Sequence, residues 1–498
     1  MVASFHELEA TMKSAFSIAV AVVAACLLSA CGGGGGGDSG GGGLALVPNA
    51  IVSVASNGDQ ANLGSHTTLK GNHFAALSAD GRYVMFVSTA TNLDPNCANG
   101  FPHIYVRDRQ TRSTVCVSVN SNGDGENLNS DASGMSADGR YVVFDSASTN
   151  LVGSDINNTL DVFVHDRDAD NDGIFDEPGA IRTVLVSEVF GSQLPGPSFD
   201  PSISANGRYV AFTSVVSKDA HNRYIETDIF VHDRDFDGNG IYDEPGAGKT
   251  RTVRVSVSDS GVPGNALSRA PSISADGRIV AFHSTSTNLI DGLGGLDQPD
   301  TWDIFVHDRD ADGNGVFDEA GGISTTLVTH LYAEPIIPVG QGDPPCLSAD
   351  GRYVAFTSTF DFVGGDVNGK QDVFVYDRRD GTNTLVSVNS AGGQSNGASY
   401  WCSLSADGRY VTFSSDATNL VAGDTNGLED VFVHDRLTGQ TRRVTDNSLA
   451  TIPRSAIFGT SAPELSGDGR YVAFQSMSPD LVAGDTNGNM DVFEFQRP

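Results

Sequence analysis

The chain has 498 residues, 58 of them glycine and 39% apolar, with few long runs of helix-forming residues, which points to turn-rich all-β structure large enough for an extensive core. Asp and Glu number 62 against 30 Lys and Arg, a formal charge of −32 that repels phosphate backbones and anionic bilayers and favours cations. Nucleic acid is therefore excluded as an expected partner.

From the N-terminus, Lys13 precedes an apolar run from Ala15 to Leu28 that is too short to span a bilayer and reads as a signal peptide over residues 1–30. Glu7 and Glu9 lie ahead of the basic residue, which is wrong for the start of such a signal, so translation is expected to begin at Met12. Leu28-Ser29-Ala30-Cys31 resembles the bacterial lipobox, which implies lipidation of Cys31. Residues 31–44, nearly pure glycine from Gly32 to Gly43, make a flexible tether to a folded domain over 45–498. By resemblance to lipoprotein sorting rules, Gly32 after the cysteine favours the outer membrane of a Gram-negative cell, with the lipid as the sole membrane contact.

The folded region is repetitive. Ser-Ala-Asp-Gly-Arg-Tyr-Val or a close variant starts at Ser78, Ser136, Ser204, Ser274, Ser348, Ser405 and Ser466. Asp-Val-Phe-Val-His-Asp-Arg or a variant follows at Asp161, Asp228, Asp303, Asp372, Asp430 and Asp491, with a degenerate copy at His103–Arg109. These segments are apolar-rich, β-branched and aromatic, and Gly, Asp and Asn clusters separate them, so each repeat supplies four short strands. Seven such units make a seven-bladed β-propeller, because no blade buries both faces without neighbours. The last repeat ends after its third strand, and Ala50-Ile-Val-Ser-Val54 is expected to complete it, closing the ring and removing open sheet edges.

Ser-Ala-Asp-Gly-Arg-Tyr-Val-Ala-Phe is similar to the Ser-Pro-Asp-Gly core of the WD40-like repeats in TolB-type propellers, with Ala in place of Pro. The resemblance spans residues 50–498 and implies fold more than function, since propellers host binders, scaffolds and enzymes.

Three repeats carry an insert between the third and fourth strands: Asp168-Ala-Asp170-Asn-Asp172-Gly173-Ile-Phe-Asp176-Glu177, Asp235-Phe-Asp237-Gly-Asn239-Gly240-Ile-Tyr-Asp243-Glu244 and Asp310-Ala-Asp312-Gly-Asn314-Gly315-Val-Phe-Asp318-Glu319. Oxygen donors at loop positions 1, 3, 5 and 9 with Gly at 6 suit calcium. Position 12 is Gly179, Gly246 or Gly321, so the loops resemble those of dockerin and thrombospondin-type repeats and not EF-hands. Structural calcium is the expected cofactor. A second acidic motif, Asp366-Val-Asn368-Gly369, Asp424-Thr-Asn426-Gly427 and Asp485-Thr-Asn487-Gly488, reads as turn chemistry. Cys97 and Cys116 fall within one repeat and are the best candidates for a disulfide; the pairing of Cys346 with Cys402 is left open.

Strand alternation puts the Asp-Gly turns and the inserts on one face and the 2–3 and 4–1 loops on the other. Residues that break the repeat on that second face, His66, His73, His221, Arg223, Tyr224, His330, Tyr332, Tyr400 and Trp401, are the candidate recognition residues. His165, His232, His307 and His434 share one position in different blades and read as structural, and the repeated arginines, Arg82 and Arg167 among them, read as partners of acids within a blade. Over residues 45–498 no Gly-x-Ser-x-Gly elbow and no His-Glu-x-x-His motif occurs. The leading expectation is a non-catalytic binding or scaffolding lipoprotein, its partner another envelope protein or a cell-surface glycan. The alternatives are a lyase-like enzyme with its site at the channel mouth, as the TolB-type resemblance allows, and a calcium-dependent carbohydrate or adhesion module.

Overall fold

The computed structural model describes residues 50–66, 77–189, 192–218, 224–292, 301–331, 337–338, 344–425, 427–445, 463–479 and 481–497. All belong to the compact unit Leu46–Pro498. The signal, Cys31 and the glycine tether lie outside the described residues, as do His73, His221, Arg223 and Tyr332.

The Asp-Gly turn shapes each blade's first hairpin. Ser78 Oγ donates to Asp80 Oδ1 at 2.8 Å and accepts from the Tyr83 amide at 2.9 Å, while Asp80 Oδ1 accepts from the Arg82 amide. Gly81 turns the chain in the left-handed region at φ +70°. The Ser-to-acid or Ser-to-amide bond recurs in all seven copies. Blade 2 is representative, an antiparallel sheet of Ser130–Met135, Tyr141–Ser146, Asp161–Asp166 and Arg182–Leu185 in that order. Blades 1 and 3–6 repeat the order over 65–116, 198–254, 268–327, 346–385 and 399–443. Blade 7 joins Glu464–Leu465, Tyr471–Ser476 and Asp491–Gln496 to Ala50–Ile51, with Ala50 opposite Glu494 and Ile51 opposite Phe493. The protein is an all-β seven-bladed propeller closed by its N-terminal strand.

The second and third strands are continuous apolar runs because both of their faces are buried. Alternate residues go to opposite interfaces: Val84 and Phe86 pack with Ala473 and Val492 of blade 7, whereas Tyr83, Met85 and Val87 pack with Met135, Val142 and Phe144 of blade 2. The core is thus a ring of interblade layers.

Two further contacts run around this ring. The glycine of each Asp-Gly or Asn-Gly turn lies against the aromatic that starts the preceding blade's second strand; a Cβ on Gly207 would sit 2.2 Å from Tyr141 Cδ2. The pattern is complete from Gly81 on Tyr471 to Gly469 on Tyr410, with Ile279 replacing tyrosine under Gly351. Beside it, the amides of Ala79, Ala137, Ala205, Ala275, Ala349 and Ala406 each donate to the next blade's equivalent carbonyl, and Asp468 N returns the ring to Ala79 O. This explains alanine where TolB-like repeats have proline: proline has no amide to give.

Candidate functional site

On the turn face the charged repeat residues are internally consumed. Arg82, Arg140, Arg208, Arg278, Arg352 and Arg409 pair with Asp108, Asp166, Asp233, Asp308, Asp377 and Asp435 of the same blade. The second arginine of the repeat spans two blades: Arg234 donates to Gly207 O at 2.7 Å and lies 4.5 Å from the ring of Tyr141 in blade 2. The recurrent histidines are buried, with Nδ1 2.8–2.9 Å from Thr183, Thr252, Thr325 and Thr441. Thr183 Oγ1 donates onward to Val119 O, so it accepts from His165 Nδ1–H. Burial holds all four imidazoles down at about 4.

The inserts share this face. In the first, carboxylate oxygens of Asp168, Asp170 and Asp172 lie within 4.8 Å of one another. In the second, the Lys249 ammonium sits 2.6 Å from Asp237 and 2.9 Å from Glu244. In the third, the Asn314 amide bridges Asp312 and Glu319. Position 9 is turned away in every copy: Asp176, Asp243 and Asp318 form two-pronged pairs with the buried Arg167, Arg234 and Arg309. Asp176, Asp243 and Asp318 also take left-handed backbones, φ 66°, 55° and 64°, which aims them there.

The opposite face varies. Within the second-strand motif Tyr-Val-x-Phe-x-Ser the fifth position reads Val87, Asp145, Thr213, His283, Thr357, Ser414 and Gln475 around the ring. Five of these face, in register, a residue of the innermost strand: His66, Asp131, Phe199, Arg269 and Tyr400. This column forms the inner rim and includes two of the recognition residues expected from sequence. The innermost strands of blades 2, 3, 4 and 6 are bulged here, and Asp200, Ala270 and Trp401 take φ of 53°, 48° and 48°. Strained non-glycine bulges re-aim side chains and gather at sites. Asp200 N donates to Asp145 Oδ2 at 3.2 Å. Across the next joint, the Arg269 guanidinium lies 5.8 Å from the Phe199 ring and 6.0 Å from Trp302, whose own ring is 4.5 Å from His283. Asp131, Asp145, Asp200, Arg269, His283 and Trp302 were missed in the sequence; the signal for Asp145 and His283 was the change of charge and polarity at the fifth position of the motif, whose third position holds only Met, Val, Ala or Thr.

The remaining sequence candidates scatter. His330 begins a separate ribbon, His330–Leu331 with Ile337–Pro338, and its Nδ1 lies 3.0 Å from Leu327 O. Tyr224 belongs to a strand and not a loop, because β-prone residues extend Tyr209–Lys218 and Tyr224–Asp233 past two bulges to a Lys218–Tyr224 pairing. Cys97 and Cys116 are joined in a disulfide, Cα to Cα 6.4 Å. Cys346 and Cys402 are free and buried, with Cys346 Sγ donating to Cys402 O. Among the described residues no helix is long and apolar enough to cross a membrane.

No protein-family model matches the sequence, and no curated protein is similar to it. Solved propellers are similar in fold. Oligogalacturonate lyase from Vibrio parahaemolyticus is 11% identical over 91% of this chain and 98% of its own, with a TM-score of 0.48. TolB from Acinetobacter baumannii is 14% identical over 84% and 81%, TM-score 0.36. The β-propeller domain of the Trilobed protease from Pyrococcus furiosus is 12% identical over 83% and 90%, TM-score 0.43. These likenesses concern the fold alone.

Proposed function

We propose that this protein is a calcium-stabilised lipoprotein of the cell envelope whose propeller is a non-catalytic binding module, taking a segment of another envelope protein or a cell-surface glycan at the varied inner rim. One observation carries the reading. In a molecule where nearly every charged repeat residue serves the blades themselves, the rim column changes charge and polarity from blade to blade, and the rim brings acids at Asp131, Asp145 and Asp200 beside an aromatic and cationic group at Phe199, Arg269 and Trp302. Varied side chains on a rigid frame are how recognition is usually built. The test is affinity capture from solubilised envelopes with the full-length protein, comparing wild type with Arg269→Ala and Trp401→Ala. The same component retained by wild type and lost by both variants supports the reading, and equal retention refutes it. A lyase-like enzyme is the second reading, favoured by Asp145, Asp200, Arg269 and His283 at one rim; turnover of acidic oligosaccharides abolished by His283→Ala would establish it in place of the first.

Anchoring rests on Lys13, the apolar run and Leu28–Cys31, and metabolic labelling with a fatty acid that is lost in Cys31→Ser tests it. Calcium is proposed at the inserts. The three clustered carboxylates of the first insert suit a hard cation, while in the second Lys249 already supplies positive charge, so that insert is expected to bind more weakly. Thermal unfolding of the full-length protein in calcium and in chelator, with bound metal counted, tests this. No shift and no bound ion refute it.

A further inference from the structure

We propose that blades 2, 5 and 7 each bind a hard divalent cation between two aspartates, at a joint that blades 3 and 6 close with an arginine and blade 1 closes with its disulfide. The inference is independent of the inserts, which lie on the other face.

The repeats serve as one another's controls, except blade 4; the loop positions of blades 3 and 4, residues 222 and 297, lie outside the described residues. The joint has three positions, counted from the Asp-Val-Phe motif of the third strand: a loop residue six before the motif, the motif's first residue, and the outer-strand residue that pairs with its third. In blade 6 these are Asp424, Asp430 and Arg443, and Arg443 Nη1 lies 3.1 Å from Asp424 Oδ1 and 3.3 Å from Asp430 Oδ2. In blade 3 the outer-strand Arg254 reaches Asp228 Oδ2 at 3.3 Å. In blade 1 the loop and outer-strand positions are Cys97 and Cys116, bonded to each other, with His103 at the strand position.

Blades 2, 5 and 7 keep both acids but lose the cation. Their pairs are Asp155 with Asp161, Asp366 with Asp372 and Asp485 with Asp491, and the outer residue is Leu185, Leu385 or Ile51. Asp155 Oδ2, Asp366 Oδ2, Asp485 Oδ1 and Asp491 Oδ2 are buried and have no hydrogen-bond partner among the described residues. Asp491 is wholly buried; Ser53 Oγ satisfies only its other oxygen, at 2.5 Å. Such oxygens are costly unless something positive meets them. Gln193 Nε2 donates to both acids in blade 2 at 2.9 Å, Gln394 Nε2 to both in blade 5, and Asn368 Nδ2 to Asp372 at 2.7 Å. In blade 7 the matching Gln60 amide is spent on Gly484 O, while Asn487, whose Nδ2 donates to Ala61 O, lies against Asp491. An all-oxygen site with two carboxylates, in a chain of net charge −32, selects a hard ion of the calcium class.

The experiment counts calcium bound to the folded full-length protein by equilibrium dialysis. Ile51→Arg, Leu185→Arg and Leu385→Arg install the cation of blades 3 and 6, and each is expected to lower the count by one ion per chain. Arg443→Leu removes a built-in cation and is expected to raise it by one. Asp170→Asn in the first insert reports separately on that loop, so failure of one calcium site is distinguishable from failure of the other. Unchanged counts in the folded arginine variants overturn the proposal and leave a shared proton between the aspartates. If an arginine variant does not fold, Arg443→Leu decides, and no gain there overturns it equally.

Discussion

Asp243→Asn separates structural from metal-binding roles within an insert. The Arg234 side chain is 1% exposed, and Asp243 holds it through contacts of 3.0 and 2.5 Å while the same guanidinium donates to Gly207 O and covers Tyr141. Neutralising the acid strands a buried cation. Removing one partner of a buried pair costs about 3–5 kcal/mol, and because asparagine keeps one acceptor the expected loss is about 3 kcal/mol. The assay is urea unfolding in chelator, so that no ion contributes. With a slope of about 3 kcal/mol/M, the midpoint falls by about 1 M. Arg234→Met combined with Asp243→Leu recovers a large part of the loss, since no unpaired charge remains. A single-variant loss below about 1 kcal/mol in chelator, or a loss seen in calcium alone, refutes the reasoning and returns position 9 to the ion.

The buried histidines give an acid limit: their folded values near 4 lie below the unfolded 6.5, so the unfolded chain gains protons first, and stability present above pH 6.5 is lost as pH falls toward 4. Melting temperature followed from pH 7 to 4 checks this, and His165→Asn flattens the slope. Gly207→Ala meets Tyr141 at 2.2 Å in a left-handed turn and is expected to cost at least about 2 kcal/mol, whereas Gly123→Ala, with its nearest neighbour 4.0 Å away, costs about 1 kcal/mol by chemical unfolding. Ala205→Pro removes one amide of the interblade ring and leaves Ala275 O without its donor, for an expected loss of about 1–3 kcal/mol relative to Ala205→Gly in the same assay.

What a single blade encodes was legible in the sequence; what lies between blades was not. Four strands per repeat and completion of the last sheet by Ala50–Ile51 follow from patterning and from where the seventh copy stops. The alanine in Ser-Ala-Asp-Gly was visible as a departure from TolB-like repeats, yet its reason is an amide aimed at the next blade. The inserts read as uniform calcium loops because spacing does not reveal that Arg167, Arg234 and Arg309 take the ninth residue, or that Lys249 folds back into the second loop. Asp200, Ala270 and Trp401 adopt left-handed bulges without the glycine that would have announced them. The equivalence of Cys97–Cys116 with Asp424–Arg443 emerges only from strand register.

Closure by the N-terminal strand imposes an order of events on synthesis. Ser53 meets Asp491 across 438 positions of sequence, so the segment made early waits, unpaired, until nearly the whole chain has followed it. Blades 1 to 6 can stack as they appear, the glycines of blades 2 to 6 settling on the tyrosine, or in blade 5 the isoleucine, made before them, but the joint of Gly81 on Tyr471 runs backwards, an early residue on a late one. It assembles together with the Ala50 strand and the contact of Arg109 with Glu494. The circle is therefore set in one concluding step, and a chain halted before Asp491 remains an open arc with two exposed ends, however well its finished blades are made.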